Sequence, residues 1–236
     1  MTFTGFSPDV QQFYQDLGRD NSRLWFSDSQ ARYEASIREP AEAFIVALGS
    51  QLAQAYPAIS VDTRRNGAGS LMRIHRDIRF SPDKRPYKEN LGIIFPLAPG
   101  KKVEVPIFYF HIDARQAFFY GGQHVLAGAA LQRYRLAVDD AGSGAALEAI
   151  LSRLDAHGYH AMEEPTFKRV PRPFPADHPR ATLLRGAALG VGRYFEQAEL
   201  DRPELVEACL QAAMAMKPLM DWLMVMNSRA IPGAQD

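Results

Sequence analysis

Between Arg73 and Lys88 the chain reads Arg-Ile-His-Arg-Asp-Ile-Arg-Phe-Ser-Pro-Asp-Lys-Arg-Pro-Tyr-Lys. Arginine grips phosphate or carboxylate through paired N–H groups, and lysine adds a point charge. If Arg73, Arg79, Lys84 and Lys88 face one site, they hold an anion. Asp77 and Asp83 then fix the geometry of those cations. Asp77, His75 and Tyr87 are the candidates for moving a proton. On a strand, Arg73, His75, Asp77 and Arg79 share one face, with neighbours about 7 Å apart. The same spacing permits a plainer arrangement. Asp77 can bridge Arg73 and Arg79 as a surface ion ladder, which lowers its pKa and makes it a poor acid.

The charge around this run is uneven. Lys+Arg and Asp+Glu each number 27, so the chain is formally neutral. Yet residues 64–102 carry ten bases against three acids, and residues 165–195 carry six against one. Overall neutrality argues against a general nucleic-acid or membrane binder. The local excess suits a small phosphorylated or carboxylated ligand. The alternative is a non-catalytic module that takes nucleic acid or an acidic partner on the same surface.

Other chemistry is weaker. His75-x-Asp77 and His111-x-Asp113 are same-face pairs on expected strands, with N/O donors suited to zinc, manganese or iron. Arg73 and Arg79 would repel a cation beside Asp77, so no metal is expected, and no motif implies a cofactor. Gly67-Ala-Gly-Ser70 could cradle a phosphate. Gly190-Val-Gly192 lacks the rest of a dinucleotide fingerprint and follows an expected helix. Cys209 is the only cysteine and sits in an apolar helical run, which reads as a buried, reduced thiol.

The elements that must position these residues follow from periodicity. Ser7-Pro8-Asp9 starts a helix with Val10, Phe13, Tyr14 and Leu17 on one stripe, ending at Gly18. Further helices are predicted over Asp28 to Arg38 and from Pro40 to Tyr56, with Trp25-Phe26 as a core anchor between the first two. The period then changes. Strands are predicted at 71–80, 87–95, 103–113 and 116–121, with Ile74, Ile78, Phe108 and Phe110 buried. Short links make the sheet antiparallel. Helices return at Ala127 to Val138, Ala145 to Leu154, after Asp177-His178-Pro179, and from Asp201 onward, where Pro218 is expected to kink or restart the helix. The methionines from Met214 to Met226 read as adaptable core filling.

The Arg73–Lys88 run resembles a largely microbial family, domain of unknown function 2461. That family carries the pattern Arg-Ile-x-Arg-Asp-x-Arg-Phe-Ser-x-Asp-Lys-x-Pro-Tyr-Lys. Arg73, Ile74, Arg76, Asp77, Arg79, Phe80, Ser81, Asp83, Lys84, Pro86, Tyr87 and Lys88 match it. Phe3-x-Gly-Phe6, Asn21, Trp25-Phe26, Tyr33, Pro40, Gly121-Gly122, Asp177-His178-Pro179 and Leu219 to Leu223 fit the same family. His75 falls at a variable position. The resemblance carries no reaction and no catalytic residues with it.

The expectation is therefore one α+β domain over residues 1–236. It has a small antiparallel sheet of four to six strands, flanked by helices from both ends of the chain. The N-terminal segment has no basic stretch followed by an apolar one, so no signal peptide is expected and the cytoplasm is the default. The oligomeric state is not legible.

Overall fold

The computed structural model describes residues 2–64 and 69–230. The candidate phosphate cradle at Gly67 therefore lies partly outside the described residues. The N-terminal elements are α1 (Asp9–Arg19), α2 (Arg23–Asp28), α3 (Gln30–Tyr33), a π-helical turn (Glu34–Arg38) and α4 (Glu39–Ala55). Then come β1 (Asn90–Pro96), β2 (Ile107–Asp113), β3 (Ala117–Gln123), α5 (Gly128–Asp139), α6 (Ala141–Ala156) and β4 (His160–Ala161). The chain closes with α7 (Ala181–Leu184), β5 (Leu189–Phe195), α8 (Gln197–Leu200) and α9 (Leu205–Ser228). The fold is α+β, with helices from both terminal parts. The antiparallel sheet runs β1-β2-β3-β5-β4. No helix among the described residues is long and apolar enough to cross a membrane.

The chain divides into two compact units. The first comprises Met1–Phe95, Tyr109–Phe119 and Tyr194–Ala212; the second comprises Pro96–Phe108, Tyr120–Arg193 and Ala213–Asp236.

In the first unit the α1 stripe is buried as its spacing requires: Val10, Phe13, Tyr14 and Leu17 all leave solvent. Phe6 stacks on Phe110 with ring centres 5.6 Å apart, and Phe44 meets the same ring at 4.7 Å. Trp25 and Phe26 lie inside α2, not between helices. Phe13 touches both rings, so the anchor role stands. The predicted 28–38 helix is real only from Gln30, and its last turn widens to π spacing.

The predicted strand at 71–80 does not form. Only isolated bridges occur there, Leu71 to Ile93 and His75 to Tyr87. Backbone bonds continue from Arg76 N–H to Pro86 C=O at 2.8 Å and then stop. Beyond that point the backbone donors of Arg79 and Arg85 go to the carboxylates of Asp77 and Asp83. Side chains that satisfy the main chain locally compete with a ladder. Ile74 is buried as expected, Ile78 only half so, and Phe80 is 92% exposed.

In the second unit Tyr134 meets Trp222 edge-on, and Trp222 donates to Ser143 C=O at 3.1 Å. Met216, Met220 and Met226 are fully buried, as core filling requires. α9 runs unbroken through Pro218. Strand β5 was not expected: in the sequence Gly190-Val-Gly192 reads only as an incomplete dinucleotide fingerprint after a helix. The reason for the glycine is contact: a Cβ on Gly190 would lie 2.2 Å from the Tyr120 ring.

Candidate functional site

All residues of the Arg73–Lys88 run lie in the first unit, and the run is held by short-range charge pairs. Asp77 accepts from Arg79 Nε at 2.9 Å and Nη2 at 2.7 Å, as well as from its backbone N–H. These bonds hold the Asp77 carboxyl down at about 2, so it stays ionised and orients a cation instead of donating a proton. The ladder reading is thus half right. Arg79 closes on Asp77, whereas Arg73 acts on it only through its field. Asp83 is bound by Arg85 and by the half-buried Arg76, which hold its carboxyl well below the usual range. Arg85 reaches on to Glu89 at 2.6 Å. Lys84 Nζ donates to Ile78 C=O at 3.0 Å, closing the loop.

Two cations of the run are left over. Arg73 and Lys88 have no ion pair or side-chain hydrogen bond among the described residues. Lys88 is half-buried. Burial, and then the Arg73 guanidinium, push its ammonium down from the ordinary lysine value. Arg73 also lines a cleft of about 130 Å³ with Tyr33, Arg38, Glu42, Arg64 and His75. Tyr87, a candidate acid, is buried, with its ring stacked on Phe26 at 4.2 Å. His75 is exposed, its ring 5.2 Å from that of Tyr87.

Alternation along β2 places Tyr109, His111 and Asp113 in one row. His111 Nε2 lies 3.1 Å from Asp113 Oδ2, and its Nδ1 lies 3.1 Å from the Tyr109 hydroxyl. Asn90 donates to the same hydroxyl at 3.3 Å. The other Asp113 oxygen takes the N–H groups of Arg115 and Gln116, which tie the row to the β2–β3 turn. Phe118 stacks on the imidazole at 4.6 Å. Burial lowers the His111 pKa, with Asp113 opposing, so the ring is neutral near pH 7. Burial also pushes the Tyr109 phenol up to about 12.

A neutral imidazole whose Nε2–H is held by a carboxylate presents Nδ1 as a base toward a phenol. Asp113 opens onto a cleft of about 510 Å³ lined also by Tyr14, Gln15, Glu89 and Arg115. The sequence reading weighs His111 and Asp113 only as a metal pair, expecting no metal there, and does not join Tyr109 or Asn90 to them. The period-two spacing of Tyr109 was the available signal. Among the described residues no three His, Cys, Asp or Glu side chains gather as a metal would need.

Over residues 9–222 the chain matches a family described as a conserved hypothetical protein, DUF2461. The chain belongs to that family. The match includes the whole Arg73–Lys88 run and the β2 row, and begins after Phe3 and Phe6. No curated protein matches this DUF2461 chain.

Proposed function

We propose that the chain binds a small phosphate- or carboxylate-bearing ligand through Arg73 and Lys88. One observation carries this reading. Arg73, exposed, and Lys88, half-buried, have no ion pair or side-chain hydrogen bond among the described residues, and the Arg73 guanidinium adds to burial in lowering the Lys88 ammonium pKa. A fold gains nothing from such a pair by itself, and an anion between them reverses the sign of the interaction. Arg79, Asp83 and Lys84 shape the loop and leave the binding to the other two.

An enzyme acting on that ligand is the function class the geometry favours. The first unit also contains a neutral imidazole, oriented by Asp113 and bonded to a phenol, which can relay a proton. A nucleic-acid module would instead use a row of free cations. Arg64, Arg79 and Arg85 each close on the aspartate two residues back.

Thermal unfolding with pyrophosphate, inorganic phosphate and citrate tests the reading. The wild type should gain stability by mass action, at roughly 2.7 kcal/mol for a hundredfold excess over Kd. Arg73→Ala and Lys88→Ala should lose that gain while keeping the unliganded melting temperature. A wild type that none of the three anions stabilises overturns the proposal.

A further inference from the structure

The second unit contains a cleft of about 500 Å³, well within the size range of small-molecule sites. One wall is the outer face of α5, where Leu131, Arg135, Leu136 and Asp139 follow helical spacing. The other is the Arg172–Pro175 segment, including Phe174. The inner face of α5, carrying Tyr134, Ala137 and Val138, is buried, so the cleft face is what the helix has left to offer.

Arg135 lies with its guanidinium 5.0 Å from the centre of the Phe167 ring. Its Nε is buried and has no acceptor among the described residues. Burial lowers its pKa, and no carboxylate counters that shift. Arg172 likewise has no ion pair among the described residues. Asp139, the acid of the lining, is 3.2 Å from His178 Nε2 and so is already engaged. Arg135 donates no hydrogen bond among the described residues, and with its Nε closed to solvent a carboxylate in the cleft would pair with the terminal guanidinium N–H groups. Arginine suits a planar carboxylate because its donors are paired in one plane. Of the remaining lining, Gln132 adds an amide, whereas Leu131, Leu136, Pro173, Phe174 and Pro175 offer no polar side-chain group.

We propose that this cleft binds a free small-molecule carboxylate with an apolar body, its carboxylate between Arg135 and Arg172 and its body against Leu131, Leu136 and Phe174. The site shares no residue with the Arg73–Lys88 pair and does not rest on the function proposed there.

The test is an NMR titration of the full chain with 4-phenylbutyrate, alongside 4-phenylbutanol and inorganic phosphate. Saturable shifts in the amides of residues 131–139 and 172–175 are expected with phenylbutyrate. Arg135→Met and Arg172→Met should each weaken binding by about tenfold or more. Methionine keeps an apolar stem, and Arg172 lies outside any helix, so at least one variant retains the fold. Arg73→Ala should leave the titration unchanged. Three results overturn the proposal: no saturable binding of phenylbutyrate, equal binding of the alcohol, or equal binding of phosphate at the same amides.

Discussion

The side chain of Asn21 clasps the backbone of Tyr87 from both sides: its Oδ1 accepts from the Tyr87 N–H at 3.0 Å and its Nδ2 donates to the Tyr87 C=O at 3.1 Å. The same Nδ2 reaches Glu89 Oε1 at 3.0 Å. These residues are 66 positions apart, so the clasp fixes where the Arg-rich loop rejoins β1. Asn21→Ala should strip two partners from a partly buried peptide and cost about 1–3 kcal/mol. Urea unfolding reads this directly. A change within experimental error would show that water replaces the amide freely.

His111 should titrate below its ordinary value of 6.5, because burial disfavours the charged ring. The folded chain then prefers the neutral form. Stability from this group is complete above 6.5 and is lost as the pH falls below that toward the lowered folded value. Asp113→Asn removes the partner that favours the charge, so the His111 pKa should fall further. NMR of the ring protons across pH 4–8 measures both.

Arg32 ties Asp9 to Asp16 across α1, and its guanidinium lies 5.5 Å from the centre of the Phe13 ring. Hydrogen bonds from Arg32 lower both aspartate pKa values. This stabilisation is present above the ordinary aspartate value of 3.8 and is lost as the pH falls through the lower folded values. Arg32→Met should cost about 1 kcal/mol at neutral pH, since all three groups are partly exposed. The gap between variant and wild type should close in acid, as followed by urea midpoints at several pH values.

Gly190→Ala should be among the most damaging single-methyl changes in the second unit. Its Cβ would lie 2.2 Å from the Tyr120 ring, and that ring is buried between β3 and β5. Overpacking of this kind costs typically 1–3 kcal/mol. In a Tyr120→Ala background, Gly190→Ala should cost clearly less than it does in the wild type. A cycle showing plain additivity would contradict the contact.

Much of this fold was legible because burial imposes period on the sequence. The α1 stripe and the β2–β3 hairpin were read with ends off by a few residues. Two segments misled for opposite reasons. Leu71 to Phe80 alternates well, yet its polar side chains take the backbone donors that a ladder needs. Leu189 to Phe195 is a strand because glycines admit a neighbouring ring, and nothing local announces a contact made 70 residues upstream. At the candidate site, residue types indicated an anion. Which cations remain free depended on pairings that spacing alone does not decide. Arg79 and Arg73 flank Asp77 in sequence, but only Arg79 closes on it.

The Asp-x-Arg closures recur at Asp62–Arg64, Asp77–Arg79 and Asp83–Arg85. Each spans two residues and needs no tertiary neighbour to form. The denatured ensemble can therefore populate the same closures, because residual local structure survives there. A contact available to both states cancels from the folding equilibrium, however good its geometry. The loop's charge pairing then acts on the unfolded chain, narrowing the conformations from which the Asn21 clasp must capture it. Arg76, which reaches Asp83 across seven positions, and Lys84, which reaches the Ile78 C=O across six, add closures that wait for the loop to fold.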